Sequence, residues 1–276
     1  MVWHITEDVE EFLDRAGGFL RTRPVENTVL LTIAETVRVQ GPGTYGSETA
    51  VFGWRGGEDA AFLRTPPREP LLSAMSPDAA AELARALSDA GLPGVIGPDA
   101  PAAAFAAEWE RLTGAGSQVL KRQRLYRLGT LVPPVPPAKG SARVAGSADR
   151  DLLVGWMAAF YRDVGEEPRQ VEEFIDDKLA HSGMLIWELD GRPVSMAGVT
   201  RQQSGMVRIQ AVYTPREHRG HGYAGAVTTA LTRAALDAGA VHVVLFTDLA
   251  NPTSNALYQR LGYVPLEDRS MVEFVA

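Results

Sequence analysis

The stretch Val212-Tyr213-Thr214-Pro215-Arg216-Glu217-His218-Arg219-Gly220-His221-Gly222-Tyr223-Ala224-Gly225 decides the reading of this chain. An alternating apolar run (206–213) ends at Thr214-Pro215 and predicts a strand. From Gly222 to Ala238 the apolar residues Val227, Leu231, Ala234 and Ala235 recur at helical spacing, and Gly239 stops them. Between strand and helix lie two near-adjacent glycines. Glycine lets backbone approach a ligand because no Cβ intervenes. The free N–H groups at a helix start, with the positive end of its dipole, favour phosphate oxygens. Arg219 adds fixed charge beside them. A plain turn that packs a helix on a sheet would carry a glycine pair equally well.

Gly220-His221-Gly222-Tyr223-Ala224-Gly225 also satisfies GxGxxG, and Asp248 stands at the end of the next apolar run, where a dinucleotide site wants its ribose-binding acid. Two features oppose that reading. Thr214–Arg219, with a proline, separate the strand from the first glycine. Only 51 residues follow Gly225, too few for the remaining βαβ units.

Downstream, Val241–Thr247 is a near-continuous apolar strand of the buried central kind. Asn251-Pro252 then caps a short helix that Gly262 ends, and Arg269–Val275 closes as a strand. Upstream, Arg143–Ala145 is a strand, and Asp149–Arg162 and Pro168–Ala180 are helices. Met184–Glu188 and Val194–Thr200 flank the hairpin signal Asp190-Gly191. The predicted order is β-α-α-β-β-β-α-β-α-β.

The residues Arg219-Gly220-His221-Gly222-Tyr223-Ala224, an R/Q-x-x-G-x-G/A loop, are followed in order by Asn251…Leu257-Tyr258…Leu261-Gly262-Tyr263. With both motifs in that order, residues 141–276 resemble the GNAT (GCN5-related) acyltransferase superfamily, which uses acetyl-CoA. The resemblance implies a mixed α/β (α+β) fold with a mixed central sheet flanked by helices. It also implies an N-acetyltransferase with acetyl-CoA as co-substrate and an amine acceptor. In that family the amides of the loop and helix start hold the CoA pyrophosphate. Carried over by position, these belong to His221, Gly222, Tyr223 and Ala224, with Gly225 completing the turn and Arg219 and Gly220 shaping the approach. Val212 and Thr214 match the strand positions that pair with pantetheine, where a backbone N–H would polarise the thioester carbonyl. Asn251 matches a pantetheine-contacting side chain and Ser254 and Asn255 match weaker cofactor contacts. Tyr258 matches the general acid for the CoA thiolate. Many members carry a Glu on the strand before the loop. Here Val207-Arg208-Ile209-Gln210-Ala211 has none, so the base is unassigned, with Glu166, Glu167 or a water relay as alternatives.

The first half is harder to read. Four prolines among residues 133–137, within Leu131–Gly140, predict an extended spacer. Cutting there gives an N-terminal domain 1–130, a linker 131–140 and the GNAT-like domain 141–276. In the first domain helices are expected at Glu7–Leu20, Asn27–Thr36, Ser76–Asp89 and Ala100–Leu112, and strands at Val51–Arg55, Ala60–Arg64 and Ser117–Leu128. That is a smaller α/β domain, compatible with a degenerate copy of the same fold, as in tandem-GNAT proteins. It shows no catalytic constellation. Its role would be to wall the acceptor groove or to mediate self-association into a homo-oligomer.

Composition sets the outer limits. Of 276 residues, 45% are hydrophobic and 22% charged, the balance of a folded globular chain. No cysteine occurs, which removes a thiol nucleophile, disulfides and Cys-ligated metal, and makes the reducing cytoplasm the default compartment. The net charge of −7 speaks against nucleic acid or an anionic membrane as partner. No apolar run approaches the roughly 20 residues that span a bilayer. Six carboxylates at Glu166, Glu167, Glu172, Glu173, Asp176 and Asp177 would attract a cationic amine, or would form a solvated helix face.

Overall fold

The computed structural model describes residues 2–57, 59–168 and 170–275. The chain forms β1 (Trp3–Thr6), α1 (Val9–Thr22), α2 (Thr28–Gln40), β2 (Val51–Arg55), β3 (Ala61–Arg64), β4 (Leu71–Leu72), α3 (Pro77–Ala86), β5 (Gly94–Pro98), α4 (Asp99–Thr113) and β6 (Gly116–Leu128). It continues with β7 (Ser141–Val144), α5 (Arg150–Asp163), α6 (Val171–Ala180), β8 (Met184–Leu189), β9 (Arg192–Val199), β10 (Met206–Tyr213), α7 (Tyr223–Asp237), β11 (His242–Asp248), α8 (Pro252–Arg260) and β12 (Tyr263–Val275). The order β-α-α-β-β-β-α-β-α-β therefore occurs twice.

Two compact units result. One is Met1–Leu125 with Thr247–Ala250 and Leu266–Ala276; the other is Tyr126–Phe246 with Asn251–Pro265. The boundaries differ from those expected at 130 and 141. The proline-rich stretch lies inside the second unit, and the last eleven residues lie in the first. Composition cannot mark this, because long-range pairing decides it: Arg269–Glu273 of β12 lie antiparallel to Gly94–Pro98 of β5.

In the first unit β1, β2, β3 and β4 pair antiparallel in turn, and β4 meets β5 in parallel at Leu71↔Ile96. Alternate residues feed two cores, as strand pleating requires. Phe62 joins Leu83, Phe105 and Trp109 on one face, while Ala61 and Leu63 join Phe12, Leu30 and Phe52 on the other. Three short strands escape sequence reading. β1, β4 and β5 have four, two and five residues, and the glycine and proline of GVIGP read as loop.

In the second unit β7, β8, β9 and β10 are antiparallel neighbours and β10 pairs with β11 in parallel, a mixed sheet. Asp190 and Gly191 close the β8–β9 hairpin with φ of 51° and 74°, the backbone such a tight turn needs. Leu185 and Ala197 face the α7/α8 core with Val227 and Leu231. Ile186 and Met196 face the α5/α6 core with Leu153 and Ile175. α6 begins at Val171, later than the proline at 168 suggested; Arg169 in that expected first turn lies outside the described residues. β12 starts at Tyr263, not Arg269, and runs through Pro265 and the charged Glu267-Asp268.

Candidate active site

The site is built on β10. Its parallel pairing with β11 runs from Met206↔His242 to Ile209↔Leu245 and ends there. Its register with β9 shifts between Gln210 and Tyr213, and Ala211 holds φ 52°. This is a β-bulge, and it changes which way the strand faces. Val207 and Ile209 lie in the α7/α8 core, whereas Ala211 and Tyr213, an even number of residues on, lie in the α5/α6 core. Val212 packs on the α7/α8 side. The backbone beyond Ile209 is thus released from its parallel partner β11.

After Thr214 the chain turns to α7. Thr214 Oγ1 lies 2.9 Å from Ser195 Oγ, and Ser195 donates to the Tyr213 carbonyl at 2.9 Å. Arg219 Nε donates to the Thr214 carbonyl at 2.9 Å, and its guanidinium also binds Asp163. Arg216 reaches the other Asp163 oxygen at 2.8 Å. Asp163, held below the ordinary carboxylate range by Arg216 and then Arg219, offsets one of their two positive charges. Arg219 is therefore a brace for the loop and not the free charge that its position in the sequence suggested.

Gly220 and Gly222 hold φ of 82° and 81°, in the left-handed region that disfavours side chains. A Cβ on Gly220 would meet open space, and one on Gly222 would lie 3.7 Å from Ala138 Cβ. Gly222 is the N-cap of α7 and has no side chain to satisfy the first turn. The consequence is the most informative feature of the site. The first intrahelical bond is Ala226 N–H to the Gly222 carbonyl; among the described residues the amides of Gly220, His221, Gly222, Tyr223, Ala224 and Gly225 have no acceptor. Six consecutive donors at a helix start form a cradle for an anion. The His221 ring stacks on Tyr223 at 5.5 Å. Gly225 differs from the others: its bare Cα faces Leu257 and Pro134, where a Cβ would come within 3.2 and 3.4 Å.

The corresponding turn of the first unit is closed. There α3 starts at Pro77, which has no N–H, and the Ser76 hydroxyl accepts from Ala79 N–H at 3.2 Å. No glycine lies between Leu72 and Pro77. An open groove of about 530 Å³ in this unit lies elsewhere, between His4, Glu11, Arg15 and Trp54.

On α8, Asn251 Oδ1 accepts from Ser254 N–H at 3.0 Å, the capping role read from sequence, so only its amide nitrogen is left for a ligand. Asn255 is fully engaged: Nδ2 donates to the Asn251 carbonyl at 2.7 Å and Oδ1 accepts from the Tyr126 hydroxyl at 2.9 Å. Gln259 donates to the same hydroxyl at 3.2 Å. Tyr126, fully buried, is a partner of α8 that the sequence did not reveal, because it comes from the strand that precedes the linker. Tyr258 is 8% exposed and meets Tyr263 edge-on at 6.1 Å. Among the described residues its hydroxyl has no hydrogen-bond partner. Burial pushes it up to about 12, the opposite of the lowering that a nearby helix dipole would give.

The carboxylates of α6 are largely committed. Arg150 binds Asp176 at 2.6 Å and Glu172 at 3.0 Å, and Arg201 binds Asp177. They are paired with the fold's own arginines, which weakens their reading as an amine attractor. Glu166 and Glu167 are exposed and sit beyond α5. Among the described residues no group of three His, Asp or Glu could hold a metal, and no helix is long and apolar enough to cross a membrane.

Residues 150–263 match the model of the Acetyltransferase (GNAT) family. The resemblance drawn from the loop and the Asn251–Tyr263 run is thereby borne out over that span. Comparison with curated proteins finds no match. Among solved structures the fold is similar to a GCN5-related N-acetyltransferase from Sphaerobacter thermophilus (TM-score 0.64, 15% identity, 99% of this chain and 95% of that one). It is also similar to a GNAT-family acetyltransferase from Colwellia psychrerythraea (TM-score 0.60, 13% identity, 99% of both chains). A third is a tandem GNAT protein from the clavulanic acid biosynthesis pathway (TM-score 0.62, 15% identity, 99% of this chain and 98% of that one). These likenesses extend over both halves and agree with the doubled element order.

Proposed function

We propose that this protein is an acetyl-CoA-dependent N-acetyltransferase of the cytoplasm that moves an acetyl group to a primary amine by direct transfer. Family match and fold support acyl transfer in general. The cradle of six unbonded amides from Gly220 to Gly225 carries the choice of acetyl-CoA, because a pyrophosphate is the anion such a turn accepts. Val212 to Thr214, released from β11, supply the strand edge for pantetheine, and a backbone N–H there polarises the thioester carbonyl. Asn251 offers its amide nitrogen to the same chain, with Ser254 beside it.

The amine attacks the carbonyl carbon, the tetrahedral oxyanion collapses, and the C–S bond breaks. With no cysteine in the chain, no thioester-enzyme intermediate forms, and both substrates are bound together. Tyr258 donates a hydrogen bond to the sulfur as negative charge develops. Its raised pKa makes complete proton transfer to a free thiolate unfavourable, so its contribution is limited to the transition state. No carboxylate stands on β10 from Val207 to Ala211, and the proton of the amine leaves to water or through Glu166 or Glu167.

The second reading is an acyl-CoA-binding regulator without turnover, favoured by that missing carboxylate. Thiol release measured over a panel of amines separates the two. Release with any amine supports the enzyme, and tight CoA binding with no release from any amine supports the regulator.

A further inference from the structure

The proline-rich segment expected to be a spacer is fastened to the second unit along its length. Gly129 N–H donates to the Gly262 carbonyl at 2.9 Å and Val132 N–H to the Leu261 carbonyl at 3.0 Å. Gly262 has φ 92° and no room for a Cβ, which would collide with the Thr130 carbonyl. At the other end the Lys139 carbonyl accepts from Trp187 Nε1 at 2.8 Å, and a Cβ on Gly140 would strike the Glu188 carbonyl. Between these anchors Pro134 and Ala138 border the space that a Cβ on Gly225 and on Gly222 would enter. The segment crosses the first turn of α7, beside the amide cradle.

Both loop arginines, Arg216 and Arg219, are bound to Asp163. Lys139 is exposed and, among the described residues, has no ion-pair partner. It follows Ala138, whose Cβ lies 3.7 Å from where a Cβ on Gly222 would stand. A lysine is a point charge on a flexible four-carbon stem, and it adds to the single net positive charge left where Arg216 and Arg219 share Asp163. The proline rings fix φ along this segment, so little ordering entropy is lost when it meets a ligand.

We propose that residues 131–140 are the outer wall of the CoA site and that Lys139 is the cation they bring to the phosphates of its ADP end. This rests on the acetyl-CoA reading of the same cradle. The test is calorimetry on the full chain with CoA, dephospho-CoA and pantetheine, using wild type, Lys139→Ala, Lys139→Arg and Gly222→Ala. Lys139→Ala is expected to weaken CoA by about tenfold, the effect of one lost charge-assisted contact, and to flatten the salt dependence. Lys139→Arg restores most of the affinity, and pantetheine, without phosphate, binds all Lys139 variants alike. If the defect vanishes with dephospho-CoA, the 3′-phosphate is the group held; if it persists, the pyrophosphate is. Equal CoA affinity in wild type and Lys139→Ala, with Gly222→Ala defective, overturns the proposal and leaves the cradle intact. A defect of the same size toward pantetheine also overturns it. A wild type that binds no CoA removes the cradle reading and this proposal together.

Discussion

Replacing Tyr258 by Phe separates chemistry from packing more cleanly than any other change in this molecule. The hydroxyl stands at about 12 and an alkyl thiol at about 8.5. That gap of roughly 3.5 units makes complete transfer to a free thiolate uphill by about 5 kcal/mol. What the phenol can give is one charge-assisted hydrogen bond to the departing sulfur, about 1.5–3 kcal/mol, or a loss of roughly 10- to 150-fold in kcat on its removal. KM for acetyl-CoA should hardly move, since the bond exists only as charge develops. Stability should respond differently. The hydroxyl has no partner among the described residues and lies in the core with Val227, Leu231 and Tyr263, so the substitution deletes no hydrogen bond. Tm should stay level or rise. Thiol release and thermal unfolding, measured on one preparation, give both quantities. A kcat within about twofold of wild type would remove Tyr258 from the mechanism, and a fall in Tm would show a packing role that this environment does not account for.

Gly222→Ala should cost about 1–2 kcal/mol for a side chain in left-handed backbone and should abolish CoA binding; normal CoA affinity in a calorimeter would make the loop purely structural. Titration of the intact chain should give one acetyl-CoA, because the turn before α3 is capped by Ser76 and Pro77, and a stoichiometry of two would contradict this. Tyr126→Phe removes the hydroxyl that donates to Asn255 and accepts from Gln259 and should cost about 1–3 kcal/mol, with a raised KM for acetyl-CoA that follows the loosened start of α8; unchanged Tm and KM would deny Tyr126 that role. Lys178, buried beside Asp177, is lowered from 10.5 to about 8 chiefly by desolvation, against the attraction of Asp177. Between those values the unfolded chain binds the extra proton, so stability should rise with pH there, by about 3 kcal/mol in all. Lys178→Met should flatten that slope in denaturant titrations from pH 7 to 11, and an identical slope in both proteins would refute the assignment.

Much of the second unit is legible in the chain alone, for local reasons. Apolar spacing, Asp190-Gly191, Gly239 and Asn251-Pro252 act over a few residues, so strands, hairpin and helix limits emerge without tertiary information. The glycine loop is likewise local, because positive φ and unbonded helix-start amides follow from the residues that stand there. Tertiary structure alone decided what depends on distant partners. The bulge at Ala211 turns β10 between its two cores, and the end of its pairing at Ile209↔Leu245 opens its edge; neither leaves a mark in an alternating sequence. Arg219 reads as a free cation until Asp163, 56 residues earlier, binds it. Tyr126 meets Asn255 across 129 residues, and the proline run becomes a wall of the second unit because Leu261, Gly262 and Trp187 fasten it. Residue types constrain the backbone within a turn or two, whereas the charge state and use of a side chain depend on neighbours that only the folded chain brings into contact.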